Sequence, residues 1–388
     1  MKDRKIRYII LFSLLLLCTV LLYFQAPLAN EKKKGEEVKQ IQNNPGRKAD
    51  IPTKEWQQTV TIGAVGDILL HDRVYNDAKS NESYDFKPML SEVKDELLKP
   101  DILLANQETV LGGKDIGLSS YPTFNSPQEA GDALIDSGVD IVSTANNHSL
   151  DKGEKGIQNA IAYYQKVKLP YVGAFKNQKD KMTLRILEKK GVKIAYLSYT
   201  YGTNGIPVPN GKEYLVNLID KNTMHEEIGR ARQAADAVVM SIHWGNEYQR
   251  FPSEEQKELA SFIANEGVDV IFGHHPHVLQ PMDWIERKDG NRTLVVYSLG
   301  NFLSGQVWDY KDIGGLAIVN LTKTVHSNET SIKISQPTFF PTFVSSFHQT
   351  NYRVVPLKDA GHFGLTNASE KYQEIMEHMK MSMEPGEN

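Results

Sequence analysis

Three histidines stand within four residues, at His274, His275 and His277, shortly after the apolar run that ends at Phe272. Pro276 stiffens the backbone between the last two imidazoles. Clustered imidazoles at the end of a buried strand are uncommon in purely structural roles, and imidazole is a frequent metal ligand. The cluster therefore predicts metal ligation.

Further polar groups close other short apolar runs of the chain. They are Gly66-Asp67, Asn106-Gln107-Glu108, Asn146-Asn147-His148, His243-Trp244-Gly245 and Gly300-Asn301. Singly, each fits an ordinary role as a turn, a helix cap, a surface loop or a hydrogen-bonded core residue. Because loops at the carboxyl ends of strands converge on one crevice of an α/β sheet, we expect these groups to meet there.

The combined donor set indicates which ions fit. Carboxylate, amide and imidazole groups come together without a competing thiolate, since the only cysteine is Cys18 in an apolar stretch. Such a set suits Mn²⁺, Zn²⁺ or Fe, whereas the imidazoles disfavour calcium. A shared carboxylate or amide can bridge two ions about 3.5–4 Å apart, which suits phosphoryl transfer. In the alternative interpretation, the polar loops form hydrogen-bond networks in a structural domain.

Short apolar runs that alternate with amphipathic segments predict an α/β fold. The predicted strands cover 59–65, 102–105, 139–144, 192–198, 237–242, 268–272 and 294–298, with weaker β-like runs at 332–344 and 352–357. Several runs are continuously apolar, which indicates strands buried on both faces. The predicted helices cover 156–167, 254–265 and 369–381, and Ser253 with Gln256 forms a capping box before the second of them.

Composition excludes several classes of protein. The 388 residues include 44 Lys and Arg and 48 Asp and Glu. The chain therefore lacks the basic excess that is typical of nucleic-acid-binding proteins, and no nucleic-acid partner is expected. One cysteine excludes an intramolecular disulfide and a Cys-based zinc site. The sequence contains neither of the glycine-rich nucleotide-binding motifs, G-x-x-x-x-G-K-[ST] and G-x-G-x-x-G. It also lacks the G-x-S-x-G motif of a serine nucleophile elbow.

Residues 1–30 read as a targeting segment, because a basic leader precedes the apolar run at 8–24. Either a signal peptide or an uncleaved transmembrane anchor fits. Cleavage after Ala29 would put Pro27 in a poor position, which favours the anchor, with the N-terminus inside. The predicted organisation continues with a flexible linker at 31–58, a domain at 59–320, and an extension of that domain at 321–388. A single-pass protein of the cell membrane with an extracellular C-terminal domain is expected.

The order of these motifs resembles that of calcineurin-like metallophosphoesterases and, more closely, that of the CapA (PgsA-like) family of capsule and poly-γ-glutamate synthesis. The segments that carry the resemblance are Val65-Gly66-Asp67, Asn106-Gln107-Glu108, Ala145-Asn146-Asn147-His148, 241–248, Gly273-His274-His275-Pro276-His277 and 297–302. The resemblance covers about residues 59–302. It implies a metallophosphoesterase-like α-β-β-α sandwich.

The resemblance also implies roles for particular residues. The implied metal ligands, for one or two divalent ions, are Asp67, Glu108, Asn147, His243, His275 and His277. Glu108 and Asn147 would be shared between ions, and His148 would be the acid that faces the leaving group. The sequence departs from the phosphatase pattern at Leu69, which replaces a His, at Glu108, which replaces an Asp, and at Ser149, which replaces an Asp or Glu. The first metal site is therefore expected to be incomplete or reshaped, with His71 as a substitute ligand, and occupancy by one ion or none stays open.

Two functions follow from these expectations. In the first, a membrane-anchored extracellular protein takes part in capsule (poly-γ-glutamate) biosynthesis or export, with other subunits of a membrane synthase as partners. In the alternative, the chain is an extracellular metal-dependent phosphoesterase or hydrolase unrelated to capsule synthesis. Because the domain is not basic, contacts with synthase subunits fit better than electrostatic capture of a polyanion. Segments 121–126 and 199–209, with Trp244 and Trp308, are expected either to wall the crevice or to pack in the core.

Overall fold

The computed structural model describes residues 55–326 and 329–383, and these residues form a mixed α/β fold, as predicted. The strands are β1 (Trp56–Leu69), β2 (Lys79–Ser80), β3 (Ser83–Tyr84), β4 (Ile102–Gln107), β5 (Ile141–Ser143), β6 (Tyr171–Val172), β7 (Arg185–Lys189), β8 (Val192–Thr200), β9 (Ala237–His243), β10 (Val270–His274), β11 (Leu279–Glu286), β12 (Arg292–Leu299), β13 (Asn301–Ser304), β14 (Ile313–His326), β15 (Glu329–Phe347) and β16 (Thr350–Pro356). The helices are α1 (Asp72–Asp77), α2 (Lys87–Leu90), α3 (Lys94–Leu97), α4 (Glu129–Asp136), α5 (Gly153–Val167), α6 (Gln178–Met182), α7 (Lys221–Ala234), α8 (Glu254–Asn265) and α9 (Ala368–Lys380).

Two large sheets carry the fold. The first has the strand order β16-β15-β14-β1-β4-β5-β6, and β13 pairs with β1 outside that path. Within it β1, β4, β5 and β6 are parallel, whereas β14 runs antiparallel to β1. The second sheet has the order β11-β12-β10-β9-β8-β7, in which β8, β9, β10 and β12 are parallel. The carboxyl ends of the parallel strands in each sheet therefore lie at one edge.

The second sheet is buried on both faces. Ile194 and Tyr196 of β8 belong to a large core that also contains residues of the first sheet. The alternate residues Ala195 and Leu197 belong to a second core, which includes Ile228 of α7. Successive side chains of a strand point to opposite faces, so a strand between two cores is apolar throughout. This explains the continuous apolar runs in the sequence.

The first strand is longer than its apolar run predicts. The prediction ended it at residue 65, before Gly66-Asp67, but β1 continues to Leu69. Val65 is the last residue of β1 that pairs with β14, and beyond it β1 pairs with β13 and continues to pair with β4. The residue just before β13 approaches β1 so closely that a Cβ at Gly66 would lie 2.0 Å from O of Gly300. Asp67 is therefore held within a strand rather than in the loop that was predicted.

The other predicted helices and strands differ from the observed ones mainly in where they begin and end. The helix predicted at 254–265 is confirmed as α8, with both hydrogen bonds of the Ser253/Gln256 capping box. Strands β4, β9 and β10 extend to Gln107, His243 and His274, all predicted to lie in loops. Several elements were missed because their apolar signal is short or interrupted. These include β6, with two residues, and α7, which has few apolar residues.

The predicted anchor or signal segment at 1–30 and most of the predicted linker at 31–58 lie outside the described residues. Within residues 55–326 and 329–383, no helix has both the length and the apolar character that crossing a membrane requires. Strand β14 runs across residue 320, where the predicted main domain ends. Helix α9 contacts the second sheet, where Nε2 of His378 lies 3.1 Å from O of Leu279.

Candidate metal centre

The six predicted metal ligands come together in one buried cluster. Each comes from a strand end or from the loop that follows it, and each is at most 4% exposed: Asp67 in β1, Glu108 after β4, Asn147 after β5, His243 at the end of β9, and His275 and His277 after β10. Strand ends of both sheets therefore supply the cluster, as the strand-end pattern predicted.

The first set of donors joins Glu108, His243 and His275. Their potential ligand atoms all lie within 4.8 Å of one another. Nε2 of His243 is 3.5 Å from Oε1 of Glu108, and it is 2.9 Å from Oδ1 of Asn147. One carboxylate, one amide oxygen and two imidazoles thus surround one position. This is a donor set for Mn²⁺, Zn²⁺ or Fe.

The second set of donors joins Asp67, Glu108 and His277, again with ligand atoms within 4.8 Å of one another. Nδ1 of His277 is 3.3 Å from Oδ2 of Asp67, and Nε2 of His277 is 3.8 Å from Oε1 of Glu108. Glu108 belongs to both sets. The arrangement therefore suits two neighbouring ions that share one carboxylate.

The buried polar atoms of the cluster fit metal ligation better than a closed hydrogen-bond network. Among the described residues, both carboxylate oxygens of Glu108 and Nδ1 of His275 are buried without a hydrogen-bond partner. A buried polar group without a partner costs about 1–3 kcal/mol, and more when it is charged. Coordination to a cation would satisfy these atoms, which supports the predicted divalent ion.

Burial and neighbouring charges shift the pKa values of the two carboxyl groups in opposite directions. Burial, together with the negative charge of Asp67, raises the pKa of Glu108 well above its ordinary value. Burial also acts to raise the pKa of Asp67, but the imidazoles of His274 and His277 outweigh it and hold that pKa well below its ordinary value.

The pKa values of the three histidines are also shifted in different directions. Burial acts to lower the pKa of His277, but the carboxylates of Glu108 and Asp67 raise it to about 9. Burial and the charge of His277 lower the pKa of His275 to about 3, and burial lowers that of His243 well below its ordinary value. His243 and His275 are thus neutral at pH 7, which is the form that binds metals.

His148, the predicted acid, has a carboxylate partner that the sequence pattern did not reveal. Nδ1 of His148 lies 2.7 Å from Oδ2 of Asp151, and the same oxygen accepts a hydrogen bond from the backbone N of Phe124. Ser149, which stands where phosphatases carry an acidic residue, instead donates its hydroxyl to O of Thr144. The acidic partner of His148 is therefore Asp151, two residues after Ser149, and the i, i+3 spacing from His148 was the available signal.

His71, the predicted substitute ligand, belongs to none of the groups of metal-binding side chains found among the described residues. Its Nδ1 lies 3.1 Å from O of Leu69, and its ring packs edge-on against Phe124 at 5.2 Å. Phe124 makes a second edge-on contact, with His148, at 4.7 Å. Leu69 is buried and supplies no donor to the cluster.

Two asparagines contact the predicted ligands, although the sequence placed both only among the polar strand ends. Asn106 donates from Nδ2 to Oδ1 of Asp67 at 2.8 Å, and the same nitrogen lies 3.4 Å from Nδ1 of His243. Asn301 presents Oδ1 to Nδ1 of His277 at 3.1 Å. Nδ2 of Asn301 donates to O of Lys311 at 2.8 Å, which fixes the direction of the amide.

Tyr201 covers part of the cluster, whereas Trp244 belongs to the core. The Tyr201 ring lies 4.6 Å from that of His275 and is parallel to that of His243. Tyr201 is half exposed, so the predicted wall segment at 199–209 does reach the site. Trp244 is buried in the second core and donates from Nε1 to O of Tyr297.

Comparison with known proteins gives the following similarities. The capsule biosynthesis protein CapA of Bacillus anthracis is 33% identical over 189 residues, which cover 48% of this chain and 45% of that protein. The PGA biosynthesis protein CapA of Bacillus subtilis (strain 168) is 32% identical over 235 residues, which cover 57% of this chain and 58% of that protein. The chain thus spans about half the length of these curated relatives.

Among solved structures, the calcineurin-like phosphoesterase YfkN from Bacillus subtilis is 16% identical, with a TM-score of 0.45. The match covers 82% of this chain and 99% of that chain. The family described as bacterial capsule synthesis protein PGA_cap matches residues 61–306, a range that contains all six predicted ligands as well as His148 and Asp151. Because this match covers more than half of the sequence, the chain belongs to the bacterial capsule synthesis protein PGA_cap family.

Proposed function

We propose that the chain is a metal-dependent hydrolase of phosphoester bonds that takes part in capsule (poly-γ-glutamate) biosynthesis or export at the outer face of the cell membrane. The carrying observation is Glu108, a buried carboxyl whose two oxygens lack hydrogen-bond partners and which belongs to two donor sets. The fold proposed for this activity is a metallophosphoesterase-like α-β-β-α sandwich.

Different residues of the cluster would bind the two ions. Glu108 would be shared by two ions, with Asn147, His243 and His275 on one side and with Asp67 and His277 on the other. When bound, such ions lower the pKa of water and stabilise the charge of a phosphoryl group in transfer.

His148 lies next to Asn147 in the sequence and would donate a proton to the leaving group. Asp151 accepts from Nδ1 of His148, which selects the tautomer and leaves Nε2 to exchange the proton. Tyr201 shields His275 from water on the solvent side.

The capsule assignment draws on two relatives, of which one is a capsule biosynthesis protein and the other a PGA biosynthesis protein. The basic leader and apolar run within residues 1–30 support a membrane anchor with the domain outside the cell. The proposed partners are the membrane and other subunits of a capsule or poly-γ-glutamate synthase, and no nucleic acid.

The test uses the full chain, purified in detergent, beside Glu108→Gln and the control Glu258→Gln, which changes an exposed residue of α8. We expect the wild type and the control to retain Mn, Zn or Fe in elemental analysis and to hydrolyse bis(p-nitrophenyl) phosphate. Glu108→Gln is expected to lose both properties while it melts cooperatively. A wild-type protein that takes up none of these ions would overturn the proposal.

The cellular role is tested separately, by whether Glu108→Gln restores polymer output to a strain that lacks the gene. Failure to restore output, with the protein present at wild-type level, supports a catalytic role in capsule synthesis. Restored output would contradict that role, since the protein would then act as a scaffold or its hydrolysis would serve another process.

A further inference from the structure

Glu247 lies on the loop after β9, at the outer side of the cluster. Its carboxylate forms a third group with His275 and His277, in which the potential ligand atoms all lie within 4.8 Å of one another. Glu247 is exposed to solvent, whereas both histidines are buried. It comes four residues after His243, so the polar residues that directly close the strands did not include it.

Backbone contacts hold the loop of Glu247 against the loop of the two histidines. The backbone N of Trp244 donates to O of His274 at 3.1 Å, and that of Tyr248 donates to O of Pro276 at 2.8 Å. These bonds lie on either side of Glu247 in the sequence. The position of its carboxylate beside the cluster therefore depends on fixed backbone and not only on the reach of its side chain.

Gly245 allows this loop to turn. Its φ is +82°, a left-handed conformation that favours glycine. A Cβ at Gly245 would also lie 2.5 Å from Oε1 of Gln256, the residue that completes the cap of α8. The close packing of the turn against α8 places Glu247 at the mouth of the cluster.

The two ion positions differ in their number of protein donors. The position at Glu108, His243 and His275 also has Oδ1 of Asn147, so four residues surround it. The position at Asp67, Glu108 and His277 is a group of three residues. Leu69, two residues after Asp67 in β1, is apolar and adds no donor.

We propose that Glu247 is the fourth protein ligand of the ion held by Asp67, Glu108 and His277, and that it enters from the solvent side. The third group joins Glu247 to His277, which belongs to that position, and to His275, which belongs to the position that already has four donors. Because Glu247 is exposed, its carboxylate would be the protein ligand that an anionic phosphate group could replace. This inference rests on the proposed function, since it requires that the cluster bind two ions.

The test measures Mn²⁺ binding to the full chain by isothermal titration calorimetry. Glu247→Gln keeps the side-chain size and removes the charge, and Glu258→Gln is the matched control, exposed on α8. We expect Glu247→Gln to lower the affinity for one of the two Mn²⁺ ions. The loss should be at least roughly 10-fold, which is what removal of a residue that hydrogen-bonds to a metal ligand costs. The control is expected to bind both ions like the wild type.

A second titration adds inorganic phosphate to protein saturated with Mn²⁺. We expect phosphate to bind Glu247→Gln more tightly than the wild type, because no carboxylate then competes for the ion. If Glu247→Gln binds both Mn²⁺ ions with wild-type affinity, this result would overturn the inference but not the proposed function. A wild type that binds no Mn²⁺, Zn²⁺ or Fe would overturn both.

Discussion

Nδ1 of His148 lies 2.7 Å from Oδ2 of Asp151, three residues further along the same loop. Asp151 is buried, and its Oδ2 also accepts from the backbone N of Phe124. A carboxylate in this position accepts a hydrogen bond from the Nδ1–H group, so the other ring nitrogen is the one that can transfer a proton. The pair therefore has the form of a general acid with its orienting partner.

Replacement of Asp151 by Asn tests this pair. An amide can donate to Nδ1 and so favour the opposite tautomer, and we expect kcat to fall by roughly 10²–10⁴ while metal content stays unchanged. The fall should be large for a phosphodiester with an alkyl leaving group and small for one with p-nitrophenolate, which leaves without a proton. Asp136→Asn, at an exposed position of α4, is the control. Equal losses for both leaving groups would contradict the role of His148 as an acid.

Glu108 is expected to lower the stability of the metal-free protein. Its carboxyl oxygens are buried and lack hydrogen-bond partners, so removing them should relieve an energetic cost. We expect Glu108→Leu to raise the free energy of unfolding by about 1–3 kcal/mol in urea with a chelator present. Glu108→Gln retains buried polar atoms and should gain less. A less stable Leu variant would instead indicate that Glu108 belongs to a structural hydrogen-bond network.

The strand-end pattern predicts that polar side chains from several strands meet, because parallel strands bring such positions together, and the resemblance to the CapA family selects the six predicted ligands among them. The residues that orient or complete the cluster are not predicted in the same way. Asn301 faces the site because β13 pairs with β1, with Asn301 opposite Asp67, although the two are far apart in the sequence. Asp151 and Glu247 depend on how their loops fold back, which local hydrophobic periodicity does not report.

Asn301 is expected to control metal affinity through His277. Its Oδ1 lies 3.1 Å from Nδ1 of His277, and its Nδ2 is held by O of Lys311. We expect Asn301→Ala to lower Mn²⁺ affinity by about 10–100-fold, because such partners fix the orientation of a ligating imidazole. Asn222→Ala, at an exposed position of α7, is the control in the same calorimetric titration. Unchanged affinity in Asn301→Ala would show that His277 is oriented without it.

The acidic residue Glu374 joins α9 to two loops near the site. It accepts from Nη1 of Arg250 at 3.0 Å, from Nζ of Lys371 at 2.6 Å, and from the hydroxyl of Tyr310. Arg250 lies three residues after Glu247, so this contact links the C-terminal helix to the loop at the mouth of the cluster.

The same contacts predict a pH dependence. Partial burial acts to raise the pKa of Glu374, but hydrogen bonds from Lys371 and Tyr310 outweigh it and lower the pKa to about 2, from an ordinary value of 4.5. A lowered pKa in the folded state stabilises the protein above 4.5, and this contribution disappears as the pH falls towards 2. We therefore expect the wild type to be more stable than Glu374→Gln in urea at pH 6, with a difference that shrinks as the pH is lowered from 4.5. Both proteins are measured with a chelator, so that loss of metal at low pH does not contribute. A difference that stays constant down to the lowest pH at which both proteins fold would contradict the assignment of the contact to an ionised Glu374.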